Sequence, residues 1–336
     1  MSKLNPNDIN KILKGAGLGT PDDLNEMDVQ LDELNSFGDK NSLSEIYTDI
    51  SKYNQMLKER ITFCNEDLTE AIPFTRENLY LICAYSGNGK STLAANVSYP
   101  LWKQGKKTLV IANEEPKQDI LFRIACLELG LSFNSYKKGR MPADQQVKAA
   151  KLFPEISKYV KILDVNYKDG LTTKVEGVKN ALRAIEDADY SCAMIDYFQL
   201  IKFSVERPAA KSYDVLNDFR IWLGQYIKRA NVPIVLFAQL HSLGKRNNKD
   251  LDSRIKDAPT IYETATVVLE VVPNFEDKTS DIIIAKDRFG LQGNRITCGF
   301  ENGRYVKLTD EFQRRIIDNK LEKITAKTEE ENNESE

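Results

Sequence analysis

One stretch limits what this chain can fold into more than any other: Asn78-Leu79-Tyr80-Leu81-Ile82-Cys83, then Ala84-Tyr85-Ser86-Gly87-Asn88-Gly89-Lys90-Ser91, then Thr92-Leu93-Ala94-Ala95-Asn96-Val97. The first part is an apolar, aromatic run of the kind found in strands buried on both faces. The last part reads as the start of a helix. The loop between them follows the pattern of a phosphate-binding loop, with Ala84 where the strict pattern has its first glycine. Gly87 and Gly89 permit a tight turn whose N–H groups converge on phosphate oxygens. The positive end of the following helix dipole reinforces them. Lys90 is placed for the β- and γ-phosphates and Ser91 for a Mg²⁺ ion. Ser86, Gly87, Asn88, Gly89, Lys90, Ser91 and Thr92 are therefore expected to hold a nucleoside triphosphate.

With 336 residues, 41% of them hydrophobic, the chain can bury one large core and carry a small appendage. The net charge of −3 means that any nucleic-acid contact must rest on locally clustered cations. The five cysteines, at 64, 83, 126, 192 and 298, include no C-x-x-C pair, which argues against a Cys-pair zinc module and a disulfide framework. A reducing, cytoplasmic setting is expected, with no membrane span and no export signal.

Residues 1–40 form a small acidic segment with two short helical patterns. Residues 41–60 carry an amphipathic linker helix, opened by the capping box Ser42-Leu43-Ser44-Glu45. From 61 to 310 short apolar strands alternate with helical stretches: an entry strand at 61–63, Thr108–Ala112, helix 116–129, Val160–Val165, helix 172–187, Cys192–Asp196, helix 212–230 and Ile234–Ala238. That alternation predicts an α/β fold with a mainly parallel sheet between helices. Strand patterns at 266–272, 281–286 and 295–300 lack helix-length gaps and predict an antiparallel extension. Residues 311–336 read as a C-terminal helix and a disordered acidic tail.

The ends of these strands carry the chemistry. Asp196 closes an apolar strand and suits the shell of a Mg²⁺ ion. Glu114 and Glu115 close the strand after the phosphate-binding loop, where a carboxylate can activate or orient water. Gln239 closes a third strand, at a point that can sense a γ-phosphate. His241, the single histidine, has no partners of metal-ligand spacing. Lys286 and Arg288 are two residues apart on a strand and so share a face. Two adjacent cations call for an anion, and the triphosphate of a neighbouring copy would supply one.

In this order the segments resemble the ATPase domain of DnaB-type hexameric replicative helicases, which have the RecA fold. The resemblance spans about 60 to 308 and implies ATP and Mg²⁺ as cofactors. Ala84–Thr92 matches the family's Walker A sequence. The family places its catalytic Glu nine residues before an Arg; Glu114 and Arg123 hold that spacing, with Glu115 in reserve. Met194-Ile195-Asp196-Tyr197-Phe198-Gln199-Leu200 resembles the family's M-I-D-Y-L-Q-L, and Ala238-Gln239-Leu240 its glutamine motif. Lys286-Asp287-Arg288-Phe289-Gly290 resembles the K-x-R-x-G segment that supplies fingers in trans. The family's collar domain has no counterpart in 1–40, and Ala258-Pro259 stand where its Ser-Gly is expected. A compact, phage-like form fits this layout.

The resemblance further implies a homo-hexamer on single-stranded DNA, contacted by Arg207 and Lys211 in one loop and Lys245, Arg246 and Lys249 in another. Replisome proteins (primase, polymerase, loader or single-strand-binding protein) are the implied partners. A RecA-like recombinase filament and a non-unwinding accessory ATPase are the competing readings, and a small-molecule kinase is the remotest.

Overall fold

The computed structural model describes residues 51, 54, 55 and 60–318, apart from 73, 169, 187, 203–211, 231, 242–249, 256–259 and 291. The readings of segment 1–40, of nearly all of the linker 41–60 and of the tail from 319 lie outside the described residues. The strands are β1 (Leu79–Ala84), β2 (Lys107–Ala112), β3 (Val160–Asp164), β4 (Tyr190–Asp196), β5 (Ile234–Gln239), β6 (Val267–Asn274), β7 (Thr279–Asp287), β8 (Arg295–Glu301) and β9 (Arg304–Val306). They make one sheet in the order β3-β2-β4-β5-β1-β6-β7-β8-β9. Every pairing from β3 to β6 is parallel, and those from β6 to β9 are antiparallel. Parallel strands need long crossovers whereas antiparallel ones need only tight turns, so the gap lengths in the sequence foretold the change.

The central strands are apolar throughout because helices cover both faces. Tyr80, Ile82 and Ala84 of β1 join a core cluster with Leu93, Val97 and Leu101 of helix Lys90–Lys103. Leu79, Leu81 and Cys83, pointing the other way, pack with Leu182, Phe219 and Leu223 of helices Val175–Arg183 and Ser212–Ile227. The Tyr226 hydroxyl joins those two helices by donating to the Leu182 carbonyl at 2.6 Å. All five cysteines are free and four are buried, acting as small apolar residues.

Several elements differ from the sequence expectations. The entry strand is reduced to a single bridge, Ile61 to Phe74, and its aromatic residue stacks instead: Phe63 lies edge-on to Phe74, which stacks on Tyr80 at 4.0 Å. Three short helices, Phe133–Lys137, Ala143–Ala150 and Phe153–Tyr159, fill the connection into β3. The helix expected over 172–187 is shorter, a 3₁₀ turn at Leu171–Thr173 followed by Val175–Arg183. Gly177 explains the tight junction: a Cβ there would stand 2.0 Å from the Leu171 carbonyl oxygen. Gly177→Ala is accordingly expected to cost about 1–3 kcal/mol of stability, read from the midpoint of a denaturant unfolding curve.

Candidate active site

The carboxyl ends of parallel strands are where an open α/β sheet binds ligands, and the chemistry-bearing residues collect there. The loop after β1 turns through Gly87 and Gly89, with φ of 78° and 90°, in the left-handed region that glycine alone enters freely. The Asn88 N–H donates to the Tyr85 carbonyl at 3.1 Å and closes the turn. Helix Lys90–Lys103 starts directly behind it, so its first N–H groups face the loop. On this helix Asn96 is fully buried. Its amide donates to Gly303 at 2.7 Å and its oxygen accepts from the Tyr305 N–H at 3.0 Å, which pins the β8–β9 turn against the loop. Asn96 carried no recognisable signal in the sequence.

Lys90 is 7% exposed, and burial lowers its pKa against the opposing pull of Asp196 and Glu114. Its ammonium also lies 5.6 Å from the centre of the Tyr197 ring. Asp196 ends β4, two strands from β1, and is 3% exposed. Burial pushes its carboxyl up to about 6, while a hydrogen bond with Ser91 pulls it the other way. Asp196 Oδ1 and Asn113 Oδ1, on neighbouring strand ends, are buried acceptors without a donor among the described residues. Unmet oxygens next to a serine hydroxyl suit a hydrated Mg²⁺ ion. Among the described residues no cluster of three acidic, His or Cys side chains could hold a metal alone, so phosphate oxygens would have to complete its shell.

The two strand-end glutamates are told apart by their partners. Arg123 grips Glu115 through both guanidinium arms, at 2.7 and 3.1 Å, and donates to Thr92 Oγ1 at 3.2 Å. Glu114 is exposed and near enough to Lys90 to shift its pKa. Arg123, nine residues after Glu114, thus pairs with Glu115. Gln239 is half-buried at the end of β5. Gln199 holds its backbone on both sides, accepting from the Gln239 N–H at 3.2 Å and donating to its carbonyl at 3.0 Å. Gln199 lay in a motif legible in the sequence, but its task as a clamp did not.

A cavity of about 980 Å³ opens beside the loop, from Gly87, Asn88 and Thr92 to Phe275 and Phe312, large enough for a nucleoside. Lys286 and Arg288 lie elsewhere. Lys286 Nζ donates to the Tyr262 and Glu263 carbonyls at 2.8 and 2.9 Å, and Arg288 to the Glu263 carbonyl at 3.2 Å. They share a face, as strand period predicts. Arg207, Lys211, Lys245, Arg246 and Lys249 lie outside the described residues.

The profile of the DnaB-like helicase C terminal domain matches residues 66–309. The chain belongs to that family. It is therefore an ATP-hydrolysing DNA helicase. Its fold is that of solved relatives. An ATPase domain superposes with a TM-score of 0.62 at 18% identity, covering 81% of this chain and 100% of that one. A DnaB-like replicative helicase, solved with its interactions with primase, gives 0.64 at 18% identity over 85% of this chain and 72% of that one. The RadB recombinase gives 0.50 at 11% identity over 74% of this chain and 100% of that one, so recombinases share the RecA-like fold. No curated protein sequence matches the chain.

Asp196 yields a prediction for this helicase. Its pKa is higher folded than unfolded, so the folded chain holds the extra proton between about pH 4 and 6. The group's favourable contribution is complete below about pH 4 and is lost as pH rises through about 6. The buried charge at neutral pH costs on the order of 3 kcal/mol at most. Asp196→Asn should raise the Tm of the nucleotide-free protein at neutral pH, with a gain that fades below about pH 4, and should abolish Mg²⁺-dependent ATP turnover.

Proposed function

We propose that this helicase moves along single-stranded DNA as a hexameric ring, using Mg²⁺-ATP clasped between neighbouring copies, and unwinds duplex DNA during replication. The main support is the position of Lys286 and Arg288 relative to their own phosphate-binding loop. β7 runs antiparallel to β6, with Asp287 beside Val267, and β6 runs parallel to β1, with Val267 beside Tyr80. The two cations therefore stand at the amino ends of β1 and β6, whereas the loop leaves the carboxyl end of β1. Lys286 is level with Leu81, and Arg288 falls one residue past Asp287, which is level with Tyr80. Three and five strand steps, roughly 10 and 17 Å at about 3.3 Å each, therefore separate them from Ala84 at the end of β1. Their head groups are held on the Tyr262 and Glu263 carbonyls. Burial and Arg288 both lower the pKa of Lys286. Among the described residues neither cation has a carboxylate ion pair; they rest on neutral carbonyls. A phosphate of another copy would be the stronger acceptor.

Within one copy, the loop N–H groups and Lys90 hold the triphosphate, Ser91 and Asp196 face the cation, and Thr92 adds a hydroxyl. A bound Mg²⁺, held with Ser91 and Asp196, would neutralise part of the triphosphate's charge. Glu114, which makes no ion pair among the described residues, takes the proton of the attacking water, while Glu115 is engaged by Arg123. Gln239 stands at the next strand end to register the γ-phosphate. In sequence, Arg207 and Lys211 follow β4, and Lys245, Arg246 and Lys249 follow β5, two adjacent strands. Contacts of this kind track DNA phosphates without reading sequence. Among the described residues no helix is long and apolar enough to cross a membrane. A primase is a candidate partner, as in the relative solved with one; polymerase, loader and single-strand-binding protein are others the reading brings in.

The test is unwinding of a forked duplex with ATP, together with electron microscopy of the ATP-analogue state; closed rings support the proposal and helical filaments would turn it toward a recombinase. Glu114→Gln should lower kcat by about 10²–10⁴ with ATP still bound, whereas Glu115→Gln, which strands Arg123, should lower the Tm and spare more of the turnover. Arg288→Ala subunits mixed with wild-type should depress turnover below the linear dilution line; a strictly linear decline rejects a finger shared between copies.

A further inference from the structure

On the side of β1 away from β4, one side chain ties together three chain segments. Arg254 closes helix Leu251–Arg254. Its Nη1 and Nη2 each donate to one Glu270 carboxylate oxygen at 2.7 Å, and Nη1 also donates to the Tyr85 hydroxyl at 3.2 Å. The two charged side chains are only 16% and 12% exposed. Glu270 stands on β6 beside Cys83 of β1, and Tyr85 is the first residue past that strand. The Arg254 carbonyl accepts from the His241 N–H at 2.8 Å, next to the antiparallel bridge between Leu240 and Ile255. A single guanidinium therefore touches the phosphate-binding loop while its own backbone forms the foot of the segment that follows β5.

Packing alone is a poor reason for this arrangement. A buried ion pair is often replaceable by apolar residues without loss of stability, and here Arg254 Nε is a buried donor with no acceptor among the described residues. What the pair does provide is a rigid link, because a planar fork gripping both carboxylate oxygens cannot swivel. The Tyr85 carbonyl accepts from the Asn88 N–H inside the turn, so closure of the loop on phosphate is passed to Tyr85. A shift of that turn would reach Arg254 through the Tyr85 hydroxyl and either move the foot or break one of the bonds.

We propose that Arg254 is a positioning residue that makes the setting of the foot, His241 with Asp250–Ile255, depend on whether the phosphate-binding loop holds a triphosphate. The helicase reading bears only on what this linkage serves, a nucleotide-dependent grip on single-stranded DNA by the residues between His241 and Asp250; the coupling itself is a property of the nucleotide site. Hydrogen exchange of the full chain with and without the non-hydrolysable analogue AMP-PNP and Mg²⁺ tests it. In the wild-type protein the analogue should slow exchange in peptides covering His241 and Asp250–Ile255 by at least about fivefold. The double variant Arg254→Met with Glu270→Leu leaves no lone buried charge and should still bind the analogue, yet the change at the foot should vanish. Tyr85→Phe keeps the ion pair but removes one bond, and should lose part of the change. A merely structural pair would alter the Tm and leave the analogue-induced change intact. No change at the foot in the wild-type protein, or the full change in both variants, overturns the proposal. Loss of single-strand-stimulated ATP turnover in a wild-type protein whose foot still responds would count against the helicase reading alone.

Discussion

A carboxylate and an ammonium forced into the same dry place organise this structure. Asp196 and Lys90 lose their water because the parallel pairing of β4, β5 and β1 brings their carboxyl ends into one row under a glycine turn. Neither charge is comfortable there: burial raises the pKa of one and lowers that of the other. Under the proposed function, a triphosphate and its cation would give each of them a partner. Strain of this kind belongs to a binding site, where stability is given up in the free state and recovered on binding.

Around that row, polar side chains do the positioning by gripping backbone. Gln199 brackets Gln239, Asn96 fastens the β8–β9 turn to the helix of the phosphate-binding loop, and Arg254 bridges Tyr85 and Glu270. Buried amides used in this way cost little when fully bonded, and each of these clamps defines one geometry rather than many. The sheet thereby fixes the spacing between nucleotide groups at its carboxyl edge and the Lys286–Arg288 pair at the opposite edge. Within one chain the two cations rest on the carbonyls of Tyr262 and Glu263.

Much of this was legible in the sequence because it depends on local pattern. The strand–loop–helix around Lys90, the polar residue ending each apolar run, and the switch from long to short connections after 266 are periodicity and turn chemistry, which act over a few residues. The shared face of Lys286 and Arg288 followed from the strand period. Less was legible where local pattern is weak: the entry strand at 61–63 gave way to aromatic stacking, and a helix expected over 172–187 was shortened by the close approach of Gly177 to Leu171.

The order of residues by itself determined the family and the fold class and marked out a candidate nucleotide site, for each is written in segments that fold with their immediate neighbours. Only the tertiary structure decided which glutamate Arg123 holds, which backbone Gln199 clamps, and at which end of the sheet the two cations stand. Those outcomes depend on contacts between residues that lie far apart in the chain, such as Arg254 with Tyr85 or Asn96 with Gly303, and on side-chain directions that spacing along a chain does not specify. Arg123 lies nine residues after Glu114, but its guanidinium grips Glu115, a choice between neighbouring residues past the end of β2 that spacing along the chain does not specify.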